Sequence, residues 1–253
     1  MTVLDAWFQQ YVDGYRDLDS EGVRNIELKR VHTGHVVTYA SLIAQGEALS
    51  SHDSMLLRCA ALLHDVGRFP QYRRWRTFRD SDSDNHARLS LEVIRSEGVL
   101  ASFADQDRQA IEEAIRFHNV RTVPEIADHP QGRLIRYLRD ADKLDIWRVV
   151  LEYYHQTPEQ QASAVGLGFP DEPTVTPVCL AALAAAEVVP LETATVLNDF
   201  KLMQISWVYD LTSDTARRIL AERRYLEQLA ALLPQTPEVV AAVAPALASL
   251  QGL

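Results

Sequence analysis

The sequence predicts an all-α fold, and three observations support that prediction. Apolar residues recur at three- and four-residue spacing over long stretches, as they do on the buried faces of helices. No pair of segments alternates polar and apolar residues around a hairpin turn, and no internal repeat is present. Five segments show the helical spacing: residues 31–47, 55–65, 86–95, 108–118 and 134–154. We therefore expect a helical bundle, with additional helices towards the C-terminus.

The first two segments each combine apolar residues with histidine. The first places His32 on one helical stripe with Val36 and Ile43. The second is apolar nearly all round, which is typical of a buried helix, and it ends in the pair His64-Asp65. Because a buried carboxylate is costly without a partner, this pair requires either a metal ion or a salt bridge to arginine. The dipeptide alone leaves both explanations open.

The other three segments also align an ionisable side chain with the apolar stripe. These side chains are His86, His118 and Asp142. One histidine in such a position is usually an ordinary core residue, but five helices directing imidazoles and carboxylates towards one core indicate a metal centre. Imidazole with carboxylate is the ligand set expected for Fe, Mn, Ni or Zn.

Two irregular segments interrupt the helical pattern. Residues 69–85 are polar, aromatic and rich in Arg and Asp, and we predict a long loop there. Residues 156–177 contain Gly and Pro and separate the first five helices from a C-terminal helical extension at about 178–253. Neither segment is long and polar enough to require two domains, so we expect a single domain over residues 1–253.

Composition restricts the partners and the location. The net charge of −10 argues against a long nucleic acid, since such binding depends on Lys and Arg. The arginines of residues 73–79 are either a solvated loop or a rim that selects an anionic substrate. No apolar run is long enough to span a membrane. Cys59 and Cys179 are far apart in sequence, which favours free thiols in a cytoplasmic protein.

The order of four residues resembles the H…HD…D signature of the HD-domain superfamily of metal-dependent phosphohydrolases: His32, His64, Asp65 and Asp142. Their local contexts are similar too. Val36 follows the first histidine by four residues, the basic residue Arg68 follows Gly67, and Lys143 follows the last aspartate. The resemblance covers roughly residues 26–146, which are the expected HD core.

The resemblance implies one or two divalent transition metal ions: Fe, Mn, Ni or Zn, with Mg as a further candidate. The four signature residues would hold the first ion. Asp65 would bridge to a second ion that His86 and His118 complete. Some two-metal relatives carry paired histidines where this chain has His118-Asn119, so one ion or two remain open.

The implied activity is hydrolysis of a phosphoester, either a monoester or a diester, by metal-activated water that attacks phosphorus. We expect Arg68 and Lys143 to contact the substrate phosphate, since Arg suits paired contacts and Lys a point charge. The expected partner is a small phosphorylated substrate, with nucleotides among the candidates. The Ala- and Leu-rich C-terminal helices are available for packing on the core or in a homo-oligomer.

Two other functions fit the same residues. The order also resembles the di-iron oxygenases of the superfamily, such as myo-inositol oxygenase, which use the same ligands with iron and oxygen. A non-catalytic binding module is a third hypothesis, disfavoured because every signature ligand is present. A second His-Asp pair, His52-Asp53, lies in a polar turn, where Asp53 or Ser54 is predicted to cap the next helix instead of binding metal.

Overall fold

The computed structural model describes residues 2–123, 130–157, 161–162 and 165–252. These residues form helices joined by turns and loops, and none of them is in a strand. The prediction of an all-α fold is confirmed. The first seven helices are α1 (Val3–Asp13), α2 (Ser20–Gly46), α3 (Ser51–Leu63), α4 (Arg68–Trp75), α5 (His86–Ser96), α6 (Asp105–Phe117) and α7 (Pro130–His155). The remaining five are α8 (Pro177–Ala184), α9 (Leu197–Ser206), α10 (Asp214–Arg223), α11 (Tyr225–Ala231) and α12 (Pro237–Ala248).

Side-chain caps fix the starts of several helices. Asp19, Ser50 and Asn85 accept hydrogen bonds from backbone amides in the first turns of α2, α3 and α5. Such caps satisfy amides that have no partner within the helix. The predicted cap of α3, Asp53 or Ser54, is wrong: Ser50 caps this helix, because its hydroxyl oxygen accepts from the Asp53 amide, and His52-Asp53 lies within the first turn.

The chain divides into two compact units. Unit 1 comprises Met1–Asp145 with Ala162–Ala164, and unit 2 comprises Ile146–Gln161 with Val165–Leu253. The expected HD core thus lies almost wholly in unit 1, and the C-terminal extension lies in unit 2. The expectation of a single domain stays a prediction. None of the described helices is both long and apolar enough to cross a membrane.

In unit 1, α2 packs against α3 and α4, and α6 packs against α3 and α5. The stripe expected on α2 is buried: Val36 and Ile43 have no exposed surface and His32 is only 2% exposed. The apolar face that stabilises the bundle therefore also carries the first histidine into its interior.

The prediction of a long loop at residues 69–85 is wrong for the first half of that segment. Helix α4 occupies Arg68–Trp75, and Asp80–Asp82 form a short 3₁₀ turn. Phe69 and Tyr72, three residues apart, are the buried face of α4. The three arginines of α4 make the segment polar on average, so its apolar spacing was not recognised in the sequence.

Two arginines of this segment, Arg73 and Arg76, are paired within the protein. Arg73 donates to the carbonyl oxygen of Gly14 and forms an ion pair with Asp17, and Arg76 pairs with Asp19. These contacts fasten α4 to the chain between α1 and α2. They do not fit the mobile, substrate-selecting rim that the sequence left open.

Unit 2 is organised around α9. All ten residues of α9 are buried, and α8, α11 and α12 pack against it. The indole nitrogen of Trp147, at the C-terminal part of α7, donates to the carbonyl oxygen of Gln204 at 2.9 Å. A helix that is covered on every side serves as the core of the unit.

Candidate metal centre

Five helices bring together the six residues singled out in the sequence, and all six residues lie in unit 1. His32 lies within α2 and Asp142 within α7, while His86 is the first residue of α5. His64 and His118 are the residues that directly follow α3 and α6. The four histidines and Asp65 are buried, and Asp142 is partly buried. His64 and His118 are therefore C-cap residues and not members of the helical stripe. Helical periodicity alone does not predict where a helix ends.

Asp65 lies at the middle of the cluster, and its two oxygens face different histidines. Oδ2 lies 3.7 Å from Nε2 of His32 and 3.6 Å from Nε2 of His64. Oδ1 lies 3.7 Å from Nε2 of His86 and 3.9 Å from Nε2 of His118. The carboxylate therefore stands between two pairs of imidazoles.

Asp142 joins the first of these pairs. Its Oδ1 lies 3.1 Å from Nε2 of His32 and 3.6 Å from Nε2 of His64. In the second pair, Nε2 of His86 and Nε2 of His118 are 3.0 Å apart. Among the residues that the structure describes, two trios have ligand atoms within 4.8 Å of one another: His32, His64 and Asp142, and His64, Asp65 and His118.

Each imidazole is oriented by a contact at its other nitrogen. Nδ1 of His32 lies 2.7 Å from the Asp145 carboxylate, and Nδ1 of His86 lies 2.7 Å from the Asp80 carboxylate. Nδ1 of His64 and Nδ1 of His118 instead donate to backbone carbonyl oxygens three residues earlier, at 2.8 and 2.7 Å. A contact that holds Nδ1 leaves Nε2 directed at the cluster, as in histidines that bind metal.

The turn after α3 is fastened to α5, which carries His86. The amide of Gly67 donates to Oγ of Ser90 at 2.9 Å, and that hydroxyl donates to the carbonyl oxygen of His64 at 2.7 Å. Gly67 has right-handed backbone angles, but a Cβ atom there would lie 2.3 Å from the backbone nitrogen of Ser90. Glycine is therefore required for close approach and not for a left-handed conformation.

Charge in the cluster favours the forms that bind metal. Burial raises the pKa of the Asp65 carboxyl, but Lys29, His64 and Arg68 outweigh it and hold that pKa well below its usual range. The pKa of Asp142 is likewise held low, because the two neighbouring imidazoles outweigh burial. Ionised carboxylates are the state that binds a metal ion.

The imidazoles of the second pair are held neutral. Burial, with the neighbouring His86 and His64, lowers the pKa of His118 to about 3. Burial and Arg68 lower the pKa of His86. His32 differs, because Asp142 and Asp145 outweigh its burial and raise its pKa. Neutral imidazole is the form that coordinates metal.

The donor set fits a divalent transition metal. Nε2 of His32 and Nε2 of His64 are buried and have no hydrogen bond of good geometry from the described residues. Buried nitrogens of this kind are costly unless an ion or water satisfies them. With His86 and His118, four buried imidazoles surround two carboxylates, and this donor set matches the ligand preferences of Fe, Mn, Ni, Co or Zn.

Two residues of the cluster were missed in the sequence. Nζ of Lys29 lies 2.7 Å from Oδ2 of Asp65, and Asp80 contacts both His86 and Arg68. Lys29 could have been found, since it lies one helical turn before His32 on α2. No sequence pattern predicted the contact between Asp80 and His86, because it depends on the course of the chain after α4.

Of the two residues predicted to contact phosphate, Arg68 lies close to the cluster. Arg68 directs Nη1 to Gln71, to the Phe78 carbonyl oxygen and to Asp80, and its Nε lies 3.5 Å from Oδ1 of Asp65. Lys143 is buried beside Asp142. Their contacts with a phosphate stay predictions. Most of the polar contacts of Arg68 are already made with other residues of the protein.

The second His-Asp pair lies apart from this cluster. His52 is exposed, and its Nε2 lies 2.9 Å from the carboxylate of Asp107 on α6. Neither His52 nor Asp53 is among the clustered ligand atoms of the described residues.

The model of the HD domain family matches residues 31–147 of the chain. These residues are therefore an HD domain, and HD domains form a superfamily of metal-dependent hydrolases. Comparison with curated proteins and with solved structures gave no match. The matched segment contains all six clustered residues.

Proposed function

We propose that this protein is a metal-dependent phosphohydrolase that cleaves a small phosphoester. The observation that carries the proposal is the placement of Asp65, whose two oxygens face two separate pairs of histidine Nε2 atoms. A carboxylate so placed would serve as a ligand to each of two divalent ions. Such ions lower the pKa of a bound water and neutralise charge on phosphoryl oxygens.

The two ions would be held by different residues. His32, His64, Asp65 and Asp142 would hold the first, and Asp65, His86 and His118 would hold the second. Asn119 offers no ligand to the second, since its amide lies 3.4 Å from Asp80 and from Nδ1 of His86, at the outer side of that ring. Water or substrate oxygens would therefore complete the second site.

The reaction adds water across the ester. A bond forms between the water oxygen and phosphorus, the bond from phosphorus to the ester oxygen breaks, and that oxygen leaves as an alcohol after gaining a proton. Asp65 and Asp142 supply negative charge that offsets bound cations, and the buried histidines keep bulk water from the ligand atoms. Lys143, beside Asp142, is the cation that we assign to the substrate phosphate.

The test is metal content combined with activity. The protein would be purified without chelator or added metal, and bound metals would be counted per chain. Hydrolysis would then be measured for aryl phosphate mono- and diesters, nucleoside monophosphates and cyclic dinucleotides. We expect about two transition metal ions per chain. Asp65→Ala should lose both ions, and its activity should fall by about 100-fold or more.

His52→Ala is the matched control, because it alters the exposed histidine of the other His-Asp pair. It should keep wild-type metal content and activity. A chain that takes up no Mn, Ni, Co, Zn or Fe would contradict the proposal and favour a binding module. Bound iron with oxygen consumption and no phosphoester cleavage would contradict it in favour of an oxygenase.

A further inference from the structure

Lys29 forms the closest ion pair that Asp65 makes among the described residues. Its Nζ lies 2.7 Å from Oδ2, with the Lys29 side chain 16% exposed and that of Asp65 3% exposed. The same ammonium lies 5.5 Å from the centre of the Phe78 ring. Because the pair is largely withdrawn from water, its electrostatic interaction is stronger than that of a surface ion pair.

The ammonium contacts the oxygen that the first pair of histidines also faces. Oδ2 lies 3.6 to 3.7 Å from Nε2 of His32 and His64. A metal ion held by these groups would share Oδ2 with Lys29, so that two cations would meet on one carboxylate oxygen. Repulsion between them in a partly buried place is substantial. Arg68 is a weaker competitor, since its Nε lies 3.5 Å from the other oxygen.

We propose that Lys29 is a built-in competitor of the metal ion for Asp65 and thereby sets the metal affinity of the centre. The inference rests on the proposed function, because it presumes that the cluster binds metal. Lys29 stabilises the ionised carboxylate when the chain carries no metal, and it must move or share Oδ2 when metal binds. Its positive charge thus raises the stability of the apoprotein and weakens metal binding.

The test compares Lys29→Met with Arg30→Met. Methionine keeps most of the length of lysine and removes its charge. Arg30 is the next residue of α2 and pairs with Glu27, so its variant removes a charge from the same helix away from Asp65. The full-length chain would be stripped with chelator, and Mn²⁺ binding would be measured by calorimetry. Thermal unfolding would be followed with and without Mn²⁺.

We expect Lys29→Met to bind Mn²⁺ roughly tenfold more tightly than wild type, because one unit of competing charge is removed. Its apoprotein should unfold at lower temperature, and its stabilisation by Mn²⁺ should be larger. Arg30→Met should match wild type in affinity. Lys29→Arg keeps the charge and should stay near wild type.

Unchanged or weaker Mn²⁺ binding by Lys29→Met would overturn the inference. Lys29→Gln, which still donates a hydrogen bond to Asp65 without a charge, gives the same comparison if the methionine variant does not fold. Mn²⁺ binding by neither wild type nor variants would instead overturn the proposed function, and this inference with it. Mn²⁺ binding by the uncharged Lys29 variants but not by wild type would support strong competition between Lys29 and the metal ion for Asp65.

Discussion

The contacts of the four histidines differ in a regular way on the two sides of Asp65. On the Oδ2 side, His32 contacts the Asp145 carboxylate and His64 donates to a backbone carbonyl oxygen. On the Oδ1 side, His86 contacts the Asp80 carboxylate and His118 donates to a backbone carbonyl oxygen. A carboxylate at Nδ1 makes an imidazole a stronger ligand than a carbonyl does. Each side therefore has one strengthened histidine.

Asp145→Asn should weaken binding of the first metal ion by about 10- to 100-fold, because it removes the charge behind His32. The affinity would be measured by competition with a chelating dye. Asp107→Asn is the matched control, since it removes the carboxylate beside the exposed His52 and should leave affinity unchanged. Equal affinities for Asp145→Asn and wild type would show that Asp145 does not support His32.

The sequence predicted the inward-facing residues of the centre better than the residues behind them. His32 and Asp142 lie on the apolar faces of long helices, so periodicity alone directs them inward. Lys29 lies one turn before His32 and was within reach of the same reasoning. Asp80 reaches His86 only through the 3₁₀ turn after α4, and no periodic pattern predicts that approach.

At the scale of elements, the turn between α3 and α4 sets how closely His64 and Asp65 approach α5, the helix that carries His86. Gly67→Ala would place a Cβ atom 2.3 Å from the Ser90 amide nitrogen and 2.6 Å from the His86 carbonyl oxygen. Both are backbone atoms of α5 and cannot move alone. We expect a loss of about 1–3 kcal/mol in the free energy of unfolding, together with weaker metal binding as His86 shifts.

Gly34→Ala is the control for that change. Gly34 is an exposed residue of α2, and a Cβ atom there would meet nothing within 4 Å. Alanine should be neutral or stabilise by about 0.5–1 kcal/mol. Urea denaturation followed by tryptophan fluorescence would measure both variants. Gly67→Ala with wild-type stability would mean that the turn can move away from α5.

The fold prediction succeeded where apolar spacing is long and failed where it is short. Helices α2, α3, α5, α6 and α7 each overlap a segment predicted from spacing. Helix α4 is only 8 residues long and displays Phe69 and Tyr72 among arginines, so its average composition resembles a loop. Its burial depends on the aromatic side chains of α1, with the ring centre of Phe69 6.0 Å from that of Tyr11. Such distant contacts are not visible in a local pattern.

At the scale of the whole molecule, the metal centre and the fully buried helix α9 belong to different units. All six clustered residues lie in unit 1, whereas α9 lies in unit 2. Unit 2 is stabilised by its own polar anchor, Asp199. This buried carboxylate accepts hydrogen bonds from the backbone amides of Thr176, Thr195 and Val196 and from two threonine hydroxyls.

Asp199 gives unit 2 a stability that depends on pH. Burial raises the pKa of Asp199, but its hydrogen bonds from Thr176, Thr195 and Val196 outweigh burial and lower that pKa. A carboxyl whose pKa is lower in the folded state stabilises the fold above its unfolded pKa, about 3.9 for Asp. That stabilisation is lost as the pH falls through 3.9 towards the folded pKa.

Asp199→Asn should therefore cost on the order of 2–3 kcal/mol at pH 7, because an amide cannot accept all of these donors. The difference in unfolding free energy between wild type and variant should stay constant above about pH 5 and narrow on acidification. Denaturation at pH 7, 5, 4 and 3 measures it, and the comparison cancels the other carboxyl groups. Metal binding should be unchanged, since Asp199 is outside the cluster. A difference that is constant down to pH 3 would show that the hydrogen bonds do not favour the ionised form.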